Sequence, residues 1–250
     1  MWSLLAWMAY ATPGIDEVVE EAAPTICQAN KPPRGYVSLE EHVPLARLTY
    51  RYHGDDNPLG APLPGYGARV MWLRKEAADQ LLEVTQDLAT ENLGLIVFDA
   101  YRPLRADQAR EAWLLRTAQG HLLETGLVQG LSHHPTGYAV DVALYKLDTD
   151  ETLDMGTEWS DWSEASRYDK GGWPGQTNRA VLREVMNRHG FQGTGKSWWH
   201  YRLRRHAAPR NNTPYGAHEP TAFAWRVPEN WSNPLYTAPP VATQCGDQTK

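Results

Sequence analysis

A chain of 250 residues with 42% hydrophobic and 22% charged side chains is long enough for one large core and too long to depend on disulfide staples. No window approaches the ~18 consecutive apolar residues of a membrane-spanning helix, which excludes a helical integral membrane protein. With 24 basic against 30 acidic residues and a formal charge of −6, the chain lacks the positive footprint of a nucleic-acid binder. Eleven Trp and twelve Tyr against three Phe favour rings whose polar atom can reach a partner or water, as clefts and irregular segments allow.

Residues 1–34 read as a lead-in. Met1–Ala11 is a short apolar run like the core of a secretory signal, without the Lys or Arg that usually precedes one; a short buried helix is the alternative. Cys27 and Cys245 are the two cysteines, and a pair near opposite ends allows one disulfide in an oxidising compartment. The expectation is a periplasmic or exported protein, with a cytoplasmic chain carrying two free thiols as the alternative.

A first extended piece is predicted over 48–52, closed by the turn-rich stretch His53–Pro58. Ala77, Leu81, Val84 and Leu88 recur at helical spacing and predict an amphipathic helix over 74–91. Leu95–Phe98 reads as a short buried strand that delivers Asp99–Pro103 at its end, where the proline discourages continuation. Ala109, Ala112, Leu115 and Ala118 then predict a helix over 105–124. In Tyr138–Tyr145 the alternation puts Tyr138, Val140, Val142 and Leu144 on one strand face, so Asp141 lies on the other between Ala139 and Ala143. A helix over 177–189 is closed by Gly190, and a last strand runs near Trp198–Leu203. Strands and helices mix without a βαβ beat, which predicts an α+β fold: a single domain over 35–206, with a small, mostly antiparallel sheet and flanking helices. The proline-rich residues 207–250 still hold Trp225, Trp231 and Tyr236, so an irregular extension wrapping the domain is expected rather than disorder.

The stretch Ser132–Asp141 carries the chemistry. A single histidine is most simply a hydrogen-bonded side chain, but His134 precedes a Pro-Thr-Gly turn and Asp141 follows seven positions later. An odd offset would put the two on opposite faces of an unbroken strand; the turn at Pro135–Gly137 breaks that parity and lets them converge. His200 sits in another strand beside Trp198 and Trp199. Two imidazoles and one carboxylate leave a coordination position open, as catalytic rather than structural zinc sites do.

Ser132, His134, Gly137, Ala139 and Asp141 fill the five fixed positions of the signature Ser-x-His-x-x-Gly-x-Ala-x-Asp. The sequence thereby resembles the zinc D-alanyl-D-alanine dipeptidases associated with glycopeptide resistance and peptidoglycan turnover. Asp99–Pro103 is similar to that family's arginine segment, Asp154–Thr157 to its post-strand loop, and Trp198–Tyr201 to its closing ligand motif. The resemblance runs from about Leu48 to Leu203. It implies one zinc ion held by His134, Asp141 and His200, and an oxyanion stabilised by Arg102. It also implies a dipeptide amine received by Ser132 and Asp154, and a pocket lined by Tyr50. His133 matches no role and is expected to pack or hydrogen-bond as a neighbour. The implied partner is a small dipeptide or cell-wall peptide, with no nucleic acid and no membrane span; oligomeric state is open.

The resemblance breaks at the base. The family has Glu-Trp-Trp-His where this chain has Ser197-Trp-Trp-His200, so Ser197 occupies the general-base position. A hydroxyl is neutral at pH 7 and does not relay a proton as a carboxylate does. The family also tends to place Phe-Asp after Met-Gly-Thr, where Glu158-Trp-Ser160 stands here. Slow D-Ala-D-Ala hydrolysis is the leading expectation, with Glu158 or Asp161 as carboxylates that could replace the base. A zinc-retaining relative that binds cell-wall peptides without cutting them, and a peptidoglycan D,D-carboxypeptidase, are the alternatives.

Overall fold

The computed structural model describes residues 31–130, 132–204 and Arg210. The apolar run at the start, the Cys27–Cys245 pairing and the extension from 211 onward lie outside the described residues.

In chain order the elements are β1 (Tyr36–Ser38), the single turn α1 (Leu39–His42), β2 (Arg47–Leu48), β3 (Trp72–Arg74), α2 (Lys75–Thr90), β4 (Leu93–Asp99), α3 (Leu104–Arg116), the short α4 (His121–Glu124), β5 (Ala139–Lys146), α5 (Gly175–Arg188), β6 (Phe191–Gly193) and β7 (His200–Leu203). Five strands form one sheet in the order β2-β4-β5-β7-β6. All its pairings are antiparallel except β2 with β4, while β1 and β3 form a separate antiparallel ribbon. The fold is the expected mixed one: a small, mostly antiparallel sheet with flanking helices.

The two central strands are buried along almost their whole length. After Leu93 every residue of β4 is buried, and so is every residue of β5 before Lys146, because both faces of these strands are covered. On α2, Ala77, Ala78, Leu81, Val84 and Leu88 are buried and form one face against the core. Gly94 leaves room on β4 for the ring of its cross-strand partner Tyr145, over which the Arg47 guanidinium lies at 3.8 Å.

Two expectations are corrected. The extended piece ends at Leu48: Tyr50 takes left-handed backbone (φ 45°) and Arg51–His53 forms a 3-10 turn, which carries Tyr52 into the core. The helix expected over 105–124 is two helices. Ala118 adopts φ 58°, Gln119 N–H reaches back to Leu114 O (2.8 Å) and Ala118 N–H to Leu115 O (3.3 Å), a Schellman closure of α3. Apolar spacing continued across the break because Leu122 of α4 packs with Leu114 and Val128 in a small satellite core.

Candidate metal centre

Sheet register assembles most of the site. Asp99 at the end of β4 stands opposite Asp141 on β5, just after an irregularity in the ladder, and Asp141 stands opposite His200 on β7. Three adjacent strands therefore place three polar residues in one row across the sheet. His134 arrives from outside the sheet. A 3-10 turn over His134–Thr136 closes at Gly137 with φ 76°, where any β-carbon would collide with the Tyr36 ring. This turn removes the parity mismatch between His134 and Asp141.

The three side chains converge, with exposures of 1%, 4% and 7% for His134, Asp141 and His200. His134 Nδ1 donates to the Ala100 carbonyl at 2.5 Å, so its Nε2 presents a lone pair. That lone pair faces Asp141 Oδ1 at 3.1 Å and His200 Nδ1 at 3.1 Å, and His200 Nδ1 lies 2.9 Å from Asp141 Oδ1. Burial pushes the His200 pKa down, favouring its neutral form. Three potential ligand atoms brought this close can share one cation between them. Tetrahedral zinc with ligands at about 2.0–2.1 Å would set those atoms roughly 3.3 Å apart, so the donor set and its spacing fit a divalent transition metal. Among the described residues this is the group of His, Cys, Asp or Glu side chains able to hold one.

The ligands are themselves held. Asp141 Oδ2, the oxygen turned away from the histidines, accepts a hydrogen bond from Trp159 Nε1 at 3.3 Å and lies 3.6 Å from Arg102. Outer partners of this kind fix a ligand's orientation. Arg102, 1% exposed, donates from Nε to Asp99 at 2.9 Å and from one terminal nitrogen to Asp107 at 2.8 Å; the other terminal nitrogen lies 2.7 Å from Asp99. Asp107 also accepts from Ser132 N–H (3.0 Å), Ser132 Oγ (2.6 Å) and Arg110 (3.1 Å). Burial alone would raise the Asp107 carboxyl, but Arg102 and Arg110 outweigh it and hold it below the usual range. Burial does prevail at Asp99, whose carboxyl is raised despite Arg102. Arg102→Met would leave these acids without their shared cation. It is expected to cost about 3–5 kcal/mol of stability, as for breaking a buried ion pair from one side, seen as a lower denaturant midpoint.

A cleft opens beside the three ligands and is also lined by Tyr52, Arg102, Ser132, Ser160 and Ser197. Ser197 Oγ is 3.3 Å from Thr194 Oγ1. Two residues expected here are elsewhere. Tyr50 gives its hydroxyl to Glu40 at 2.8 Å and lines a separate, smaller cavity, because the turn after it sends Tyr52 to the cleft instead. Asp154 is exposed and its carboxylate caps Gly156 N–H at 2.7 Å; Ser160 from the same loop lines the cleft in its place. Glu158 is exposed, and Asp161 caps Ser163 N–H at 2.9 Å; neither lines the cleft. His133 sits 3.0 Å from Arg202, and burial, with His200 nearby, pushes its pKa down to about 4, so the neutral ring accepts that bond. Sequence reasoning missed Asp107, Trp159, Ser160 and Tyr52. The available signal for Asp107 was an acid and an arginine three apart on one turn of an alanine-rich helix.

The family described as D-ala-D-ala dipeptidase (Peptidase_M15) matches residues 33–218. The D-alanyl-D-alanine dipeptidase of Enterococcus faecium is 31% identical over 192 residues, covering 71% of this chain and 95% of the relative. That of Escherichia coli K12 is 28% identical over 169 residues, covering 67% and 83%. Among solved structures, the LD-carboxypeptidase LdcB aligns with a TM-score of 0.42 and 17% identity over 70% of each chain. The zinc(II) complex of the D,D-pentapeptidase VanY aligns with a TM-score of 0.35 and 18% identity over 54% of this chain and 75% of that one. With its signature segment, its buried His-Asp-His group and a match across most of its length, the chain belongs to the D-alanyl-D-alanine dipeptidase family.

Proposed function

We propose that the protein is a zinc-dependent peptidase that hydrolyses D-Ala-D-Ala or a close D,D-dipeptide, slowly. The observation that carries this reading is the convergence of three lone-pair atoms within 3.1 Å of one another at the wall of a cleft that also presents Arg102. His134, Asp141 and His200 would hold one zinc ion. Bound zinc supplies Lewis-acid polarisation of a carbonyl and makes water acidic near neutral pH. Arg102 contributes a fixed positive field toward charge developing on the scissile carbonyl oxygen; its own N–H groups are already engaged by Asp99 and Asp107, so it cannot swing away. Ser197 can hydrogen-bond a water molecule but cannot retain its proton, which accounts for the slow rate.

One observation favours a second reading, the D,D-carboxypeptidase. Among the described residues lining the cleft, Asp141 is the sole carboxylate, so a free ammonium group would meet the hydroxyls of Ser132, Ser160 and Ser197 rather than an acid. A peptide whose amine is acylated avoids that mismatch.

Purified protein given one equivalent of zinc and then D-Ala-D-Ala should release free D-Ala above a His200→Ala control. Faster release from N-acetyl-D-Ala-D-Ala would favour the carboxypeptidase. Tight zinc with no release from either peptide would leave a binding protein. A chain without affinity for zinc would overturn all three.

A further inference from the structure

The segment between β5 and α5 has to keep its shape without regular structure. From Leu147 to Pro174 it holds no strand or α-helix, only 3-10 turns at Glu164–Ser166 and Tyr168–Lys170. Yet it delivers three groups to the metal centre. Trp159 donates to Asp141 Oδ2 and stacks on the Phe98 ring at 5.2 Å, while Ser160 and Trp162 line the cleft. Ser160 does so at φ 62°, and a non-glycine residue in left-handed backbone persists only where its surroundings hold it there.

Those surroundings meet at one side chain. Arg179 on α5 is fully buried. Its Nε donates to the Met155 carbonyl at 2.6 Å, and its Nη1 to the carbonyls of Ala165 at 3.1 Å and Arg167 at 2.6 Å. One planar group thus gathers the chain on both sides of Trp159–Trp162. The guanidinium also lies 5.7 Å from the centre of the Trp198 ring, and Trp198 holds the same segment through Nε1 to Thr157 Oγ1 at 2.8 Å and its N–H to Ser166 O at 3.1 Å. Among the described residues the hydrogen bonds of Arg179 go to carbonyls and none to a carboxylate, and burial pulls its pKa down. A charge buried without a direct counter-ion is costly. Filling space does not require that cost; a rigid fork that meets several carbonyls at once does. The fit is close, since a β-carbon at Gly171 would lie 2.9 Å from the guanidinium carbon and Nε.

We propose that Arg179 is a positioning residue for the metal centre: it staples the two ends of the 155–167 loop, keeps Trp159 on Asp141 and thereby raises metal affinity. Arg179 does not line the cleft and is not among the three candidate ligands, so its influence runs through the loop. The proposal rests on the metal-centre reading for the ion, but not for the staple.

Two variants of the full chain loosen the staple in different ways. Arg179→Lys keeps the charge and replaces the fork with a compact ammonium. Gly171→Ala keeps the arginine and pushes its guanidinium aside, at a backbone (φ −67°) that accepts alanine. In metal-free protein, hydrogen exchange read by mass spectrometry should quicken over residues 155–167 by about tenfold, and by more than over α2, which reports any general loss of stability. Zinc affinity, measured by competition with a chromophoric chelator, should fall about tenfold for Arg179→Lys, the scale of losing a ligand's outer partner, and in the same direction for Gly171→Ala. In a Trp159→Phe background the same substitutions should change zinc affinity by less than about twofold, because the contact through which they act is gone. Equal losses in the two backgrounds, or unchanged affinity in folded variants, would overturn the proposal. If Arg179→Lys does not fold, Gly171→Ala decides alone. A wild type without zinc affinity would reject the metal-centre reading; the exchange data would then decide the staple, a quickened loop upholding it and an unchanged one overturning it.

Discussion

Ser197→Glu is expected to raise kcat on D-Ala-D-Ala by about 10²–10⁴-fold, the usual contribution of a positioned general base. The position is suited to one. Ser197 lines the cleft, is half-buried, and precedes His200 by three residues through the buried Trp198 and Trp199, so a longer side chain starts from a fixed backbone. Thr194 Oγ1 accepts the Ser197 N–H at 3.3 Å, which holds that backbone whatever the side chain is. A glutamate has an ordinary pKa of about 4.3, and the adjacent Lys196 favours its charged form, so it would be ready to accept a proton at neutral pH. The variant's kcat should therefore gain a limb that rises with pH through the carboxyl pKa and is flat above it. Ser197→Gln, equal in length but without charge, should stay near the wild-type rate. Initial rates of D-Ala release across pH decide the matter: a glutamate variant no faster than the glutamine one would mean that the cleft is shaped for another task or draws its base from elsewhere.

The sequence made legible those features that depend on neighbours in the chain. Helix α2 announced itself through one apolar face, β4 through a short apolar run that a doubly covered strand tolerates, and β5 through alternation. The His134–Gly137 turn was readable because proline and a left-handed glycine sit at its two ends. What stayed hidden depends on register and on distant partners. Nothing local says that Asp99, Asp141 and His200 align across three strands. Asp107 went unnoticed because α3 buries polar and apolar residues alike, Asp107, Arg110 and Glu111 among them, and its partner Ser132 lies 25 positions away. The loop after β5 misled for a related reason. Asp154 is spent on capping Gly156, while Ser160, with φ 62°, is turned to the cleft by a backbone conformation that serine rarely adopts.

Asp141→Asn is expected to abolish stoichiometric zinc and, with it, any hydrolysis. The substitution keeps the shape and removes the charge that two histidines and Arg102 share. Burial would raise the Asp141 carboxyl, yet the His134 and His200 imidazoles outweigh it and hold it well below the usual range, so the native residue is ionised at neutral pH. An amide in its place offers a neutral oxygen or an N–H, and the N–H would point a proton at the His134 lone pair. Trp159→Phe provides a graded comparison. It deletes the 3.3 Å bond to Asp141 Oδ2 while keeping an aromatic ring beside Phe98 and Tyr52; loss of such a partner outside the ligand set costs roughly 10–100-fold in metal affinity, and losing the ligand itself must cost more. Elemental analysis after dialysis should therefore order the chains as wild type, Trp159→Phe, Asp141→Asn. Because an ion that binds only the folded state stabilises it by mass action, the same order should appear in how far added zinc raises the melting temperature. A large rise for wild type and none for Asp141→Asn would tie the three converging side chains to metal directly, with no appeal to turnover. Equal rises in the two proteins would place the ion elsewhere.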